Sequence, residues 1–148
     1  MEKLIKLNSK SIIVLYILAD IICVGAGMGV PIFCILLGFP LGWYITKRIS
    51  VSRESSYMLY RQVLKWSFLA SAFTFLQMIF IWGIWAGMIS ALFNPSFDFR
   101  NFGHPFILYD PKVSFIGWLI LMIFISPFLQ LLTTIFASFV TLVRKDAK

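Results

Sequence analysis

Four apolar stretches, near residues 11–26, 31–46, 66–93 and 113–143, alternate with short polar segments along this 148-residue chain. About 20 apolar residues cross a bilayer when each rises ~1.5 Å in a helix, so this pattern predicts membrane-spanning helices. No stretch alternates in a way that suggests strands. The predicted fold is all-α: an integral-membrane four-helix bundle forming a single transmembrane domain over 1–148.

The breaks between stretches have local causes. The run from Ser11 to Thr46 is too long for one span, and Gly25-Ala26-Gly27-Met28-Gly29-Val30-Pro31 supplies a turn in its middle. The two resulting spans are short, about 24 Å each at ~1.5 Å per residue. They predict a tight hairpin with local thinning of the bilayer. Ser52, Ser55 or Ser56 can cap a helix that runs directly into the third span. Its Tyr57, Met58, Tyr60 and Leu64 would lie on headgroups, with Arg53, Arg61 and Lys65 facing water or phosphate. Residues 94–112, rich in Pro, Gly, Asn and Asp, read as an ordered loop whose aromatic residues pack on the bilayer surface. Pro127 removes one backbone hydrogen bond in the long fourth span and predicts a kink or strong tilt there.

Composition reinforces the pattern. With 60% hydrophobic residues, 13% charged residues and a mean hydropathy of +0.91, lipid is the expected solvent for most of the chain. The formal charge of +7 is scattered between apolar runs without a nucleic-acid motif, so anionic lipid headgroups are the expected partner. Every Lys and Arg except Arg100 and Lys112 falls in the N-terminal lead, the 47–65 linker or the C-terminal tail. Four spans put those three segments on one side, which the positive-inside rule makes cytoplasmic. Both termini are therefore expected inside, with the cell membrane as location. The basic lead also resembles a signal peptide, but Asp20 would be costly within its apolar core, so an uncleaved first span is expected.

In lipid, helices meet through small residues and interhelical hydrogen bonds. The first span offers Tyr16, Asp20, Cys23 and Gly27, and the second Cys34, Gly38, Gly42 and Thr46. The third offers Ser67, Ala70, Thr74 and Gln77, and the fourth Ser126, Gln130, Thr133, Ala137 and Thr141. Counted from the basic ends at ~1.5 Å per residue, Asp20, Gln77 and Gln130 lie about 15, 18 and 21 Å deep. They are expected to join Tyr16, Thr74 and Thr133 in one hydrogen-bonded cluster. Gly83, Gly87 and Ala91 form a second small stripe, suited to another protomer or partner.

Asp20 is the sole acid inside a span, and no Lys or Arg lies in a span to neutralise it. Such a residue points to proton or ion handling, or to a neutral carboxyl gluing helices by donating to Gln77 or Gln130. Cys23 and Cys34 flank the hinge symmetrically and could form a thiol pair, although small buried cysteines fit as well. His104 with Asp98, Asp110 and Arg100 matches no zinc or catalytic signature; salt bridges and Asx turns explain them. Trp43, Tyr44, Trp66, Tyr109 and Trp118 read as interfacial anchors. No metal site and no cofactor is implied.

Four short spans with one acid in the first resemble the small multidrug-resistance transporters in general plan, although the acid is Asp20 and the chain is longer. The leading functional expectation is a non-enzymatic subunit or assembly module of a membrane complex, because four helices enclose little cavity alone. The alternative is a proton-coupled or ion-conducting small transporter using Asp20, as an oligomer. A membrane enzyme or redox protein using Cys23, Cys34 or the His104 loop is the third.

Overall fold

A computed structural model describes residues 9–26, 31–50, 56–85, 87–100 and 109–146. The Gly27–Val30 part of the expected hinge and His104 lie outside the described residues. Every regular element among those described is helical. They are α1 (Ser9–Ala26), α2 (Ile32–Ile49), α3 (Ser56–Met78), α4 (Met88–Phe93), α5 (Pro111–Ile120) and α6 (Ser126–Asp146). α3 continues as a π-helical stretch, Ile79–Trp85, and a second one, Leu121–Ile125, joins α5 to α6. Three helical segments are long and apolar enough to cross a membrane: Ile32–Ile49, Tyr57–Ile84 and Pro111–Arg144. The apolar part of α1, Ile12–Gly25, is shorter.

Local chemistry explains several boundaries. Asp110 caps α5: its Oδ1 accepts from the Lys112 and Val113 backbone N–H groups at 2.8 and 3.0 Å, and Pro111 occupies the first turn, where its missing N–H costs nothing. Just before Pro127 the helix adopts the π-helical stretch Leu121–Ile125. A proline leaves the carbonyl four residues earlier without its donor, and a widened turn absorbs that gap. The third span ends earlier than expected. Gly87 adopts the left-handed conformation, φ 67°, so the chain turns and α4 starts as a separate element.

The interior is layered along the bundle. At the end where α1 begins and α6 finishes, Ile45, Ile49, Leu59, Val63 and Leu142 form a small aliphatic cluster; Lys47, Arg48, Arg61, Lys65 and Arg144 make this the basic end. The opposite, aromatic end gathers Val24, Cys34, Met78, Phe115, Trp118 and Met122. Between them lies a polar belt of Asp20, Ser67, Ser71, Thr74, Gln130, Thr134 and Ser138, all buried. Large apolar residues such as Leu18, Ile22, Phe68, Leu76, Phe128 and Phe136 point outward. A polar middle under an apolar outside is the arrangement that lipid rewards.

Two placements of aromatic residues differ from expectation. Trp118 is only 3% exposed and meets Trp82 edge-on at 5.6 Å, so it belongs to the core rather than the interface. Phe97 and Phe99 fold inward onto Phe115, with ring centroids 6.0 and 5.3 Å away, and cover the aromatic end instead of lying on the bilayer. Tyr57, Met58, Tyr60 and Leu64 do face outward, while Leu59 and Val63 anchor that first part of α3.

Candidate functional site

The site forms where one face of α1 meets the polar belt. Tyr16 and Asp20 are four residues apart and therefore project from the same side of α1. The Thr74 hydroxyl donates to Asp20 Oδ2 at 2.9 Å and lies 2.8 Å from the Tyr16 hydroxyl, where either oxygen can donate. With Thr74 donating to Asp20, the single Tyr16 proton goes either to Thr74 or to the Ala70 carbonyl 3.1 Å away, and Gln130 Nε2 donates to the Tyr16 hydroxyl at 3.2 Å. Asp20, Tyr16, Thr74 and Gln130 thus bring α1, α3 and α6 to one point.

Two expected members stand apart. Gln77 is half-buried, and neither of its amide atoms has a hydrogen-bond partner; Met78 takes the fully buried place one turn beyond Thr74. Thr133 donates to the Ile35 and Gln130 carbonyls at 2.9 and 3.0 Å and so belongs to the seam between α2 and α6. Next to it, Thr134 is fully buried, and Ser71 donates to the Pro127 carbonyl at 2.6 Å. Their signal in the sequence was a spacing of four, Ser67–Ser71 and Gln130–Thr134–Ser138.

Within the cluster two buried acceptors remain unpaired. Asp20 is 0% exposed and Gln130 1%, and Asp20 Oδ1 and Gln130 Oε1 have no hydrogen-bond partner. Each belongs to a planar group whose other atom is already in the network, so both orphaned oxygens flank the Tyr16–Thr74 hydroxyl pair. An unmet acceptor away from water costs roughly 1–3 kcal/mol.

A cavity of about 460 Å³ adjoins the cluster. Ile12 and Ile17 of α1, Leu41 of α2, and Leu69 and Phe73 of α3 wall it, and Tyr16 lines it as well. A smaller hollow of about 220 Å³ lies between α1 and α2, also bordered by Tyr16. The phenol ring is held edge-on against Phe73, 6.1 Å between centroids, with its hydroxyl directed into the network.

The remaining candidates separate from this site. Gly38 and Gly42 are buried against α6: a Cβ on Gly38 would collide with Thr133 Oγ1 and the Gln130 carbonyl, and one on Gly42 with the Thr134 carbonyl. Gly83 and Gly87 do not share a helical face, because Gly87 lies past the end of the rod; Gly83 packs against Ile89 of α4. Cys23 and Cys34 are free thiols and form no disulfide. Asp98 Oδ1 accepts from the Arg100 backbone at 2.9 Å, an Asx turn, and Asp110 is the cap of α5. Among the described residues no three His, Cys, Asp or Glu side chains could hold a metal ion.

Comparisons with protein-family models, with curated proteins and with solved structures give no match. The fold and site define an all-helical membrane protein with a buried acid in a polar belt.

Proposed function

We propose that this protein is a small proton-linked membrane carrier in which Asp20 is the exchangeable centre and α1 is the element that responds to its protonation. One observation carries this reading. Tyr16 lines the cavity, its hydroxyl lies 2.8 Å from that of Thr74, and Thr74 in turn donates to the carboxylate, which supports a hydroxyl relay from the cavity-lining tyrosine to the acid. A hydroxyl both donates and accepts, so a proton received at Tyr16 is matched by one passed to Thr74 and another passed to Asp20. A buried ionisable group inside a bundle is the kind of residue that marks proton pathways.

In this reading the chain crosses the bilayer four times, with both termini and the basic end at the cytoplasmic face. α1 supports a short crossing, as its 18 residues rise about 27 Å at ~1.5 Å each. The concentration of Lys and Arg at one end supports the orientation. The cell membrane is the proposed location, and the carrier acts as an oligomer.

A role as an assembly module would need a small-residue face left for a partner. Gly38 and Gly42 are occupied by α6, and Gly83 by α4, so that role draws its support from composition alone.

The test uses proteoliposomes with an internal pH dye. Wild-type protein should relax an imposed pH gradient, and Asp20→Asn, which keeps the shape but not the titratable group, should lose that activity while remaining assembled. Equal rates in the two proteins would overturn the proposal.

A further inference from the structure

We infer that the 460 Å³ cavity is a binding site for a free amphipathic monoanion, an apolar chain of medium length ending in a carboxylate. Its walls are almost entirely carbon, and the polar groups gather at the basic end. There, Tyr44 and Arg48 stand one turn apart on α2, with Arg48 Nη1 donating to the Tyr44 hydroxyl at 3.2 Å, and Gln62 faces them from α3. Among the described residues that line the cavity none is acidic and Arg48 is the charged one. A guanidinium carries five N–H donors in a planar fork and serves several partners at once, a carboxylate being the anion it fits best. Lys47, Arg61 and Lys65 at the same end add to the field that draws an anion in.

Size and shape favour a free anion over a two-chain phospholipid. The volume falls within the ~300–1,000 Å³ usual for small-molecule sites. Along α3 the lining runs from Gln62 to Phe73, about 16 Å of rise at ~1.5 Å per residue. Tyr16 and Phe73, whose rings meet edge-on, line its inner end, and the volume is that of a small-molecule site rather than of a lipid with two long chains.

As the carrier's substrate, this anion rests on the proton-linked reading above. One anion moving with the one proton held at Asp20 carries no net charge across the membrane. As a binding site it stands independently, because Asp20 does not line the cavity.

Trp66 lines the cavity and serves as reporter. The full chain in uncharged lipid nanodiscs is titrated with 10-bromodecanoate, 10-bromodecylammonium and 10-bromodecanol, whose bromine quenches tryptophan; the Trp66→Phe variant isolates the Trp66 signal. The carboxylate should quench at concentrations on the order of tenfold lower than the other two. Arg48→Gln should erase that preference, Arg48→Lys should retain part of it, and Ile17→Phe should weaken all three by narrowing the cavity. Asp20→Asn should leave the binding preference intact even where it stops proton movement, which separates failure of the site from failure of the carrier reading. Equal quenching by all three amphiphiles, or indifference to Arg48→Gln, would overturn the inference. So would reversal of the carboxylate's quenching by added phosphatidylglycerol in an Arg48-dependent way, which would make this a lipid headgroup site.

Discussion

The two hairpin partners, α1 and α2, are held in the bundle by opposite means. α2 lies so close to α6 that Gly38 and Gly42 have no room for a methyl group, and Thr133 and Ser138 donate across the seam to the Ile35 and Gly42 carbonyls at 2.9 and 3.1 Å. α1 has buried side chains only at Asp20 and Val24 among those described, is tied to α3 and α6 through one hydroxyl cluster, and is flanked by hollows of about 460 and 220 Å³. Close backbone packing leaves α2 a single place to sit. A helix held by a few hydrogen bonds can change position when one of them changes, and the titratable residue lies on that helix.

The sharpest way to break this comparison is at the tight seam. Gly42→Val drives a branched side chain into the Thr134 carbonyl and should cost roughly 3 kcal/mol or more, read as unfolding in bicelles. Next in size is Asp20→Leu, which removes the Thr74–Asp20 bond; because Thr74 keeps the Tyr16 hydroxyl and the Ala70 carbonyl within reach, it should cost about 1–2 kcal/mol by the same measurement, and Asp20→Asn less. Tyr16→Phe keeps the ring on Phe73 but removes the hydroxyl shared with Thr74 and Gln130; at about 0.6 kcal/mol per interhelical hydrogen bond its stability effect is small. Its larger effect should be on proton exchange at Asp20, slowed relative to wild type in stopped-flow pH jumps. Smallest, and opposite in sign, is Gly117→Ala. That exposed helical glycine has nothing within 4 Å of an added Cβ, so the helix should gain up to about 1 kcal/mol.

The helices were legible from sequence because length and apolarity are properties of single segments. Depth was legible in part: counting residues from the basic ends brought Asp20, Gln77 and Gln130 to one level, and the network joins Asp20 and Gln130 through Thr74 and Tyr16 but leaves Gln77 out. Rotation about the helix axis was not. Gln77 lies at the right depth but its amide makes no hydrogen bond to the cluster, and the buried stripe of α6 runs through Thr134 and Ser138 rather than through Thr133 and Thr141 alone. Gly83 and Gly87 looked like one stripe because helical spacing was assumed past a residue that turns left-handed. Trp118 looked like an anchor because it sits near a span's nominal end, yet Phe97 and Phe99 pack against the cluster it belongs to and make that end part of the core. The cavity had no signal in the sequence, since it arises from how far three separate helices stand apart.

The most direct test is infrared difference spectroscopy of the protein in liposomes, following the carbonyl stretch of protonated carboxyl groups as pH is varied. A band present in wild type and missing in Asp20→Asn should disappear reversibly as pH rises, and should respond more slowly in Tyr16→Phe. A wild-type Asp20 band that stays constant throughout the range in which the protein remains folded would contradict exchange at this carboxyl.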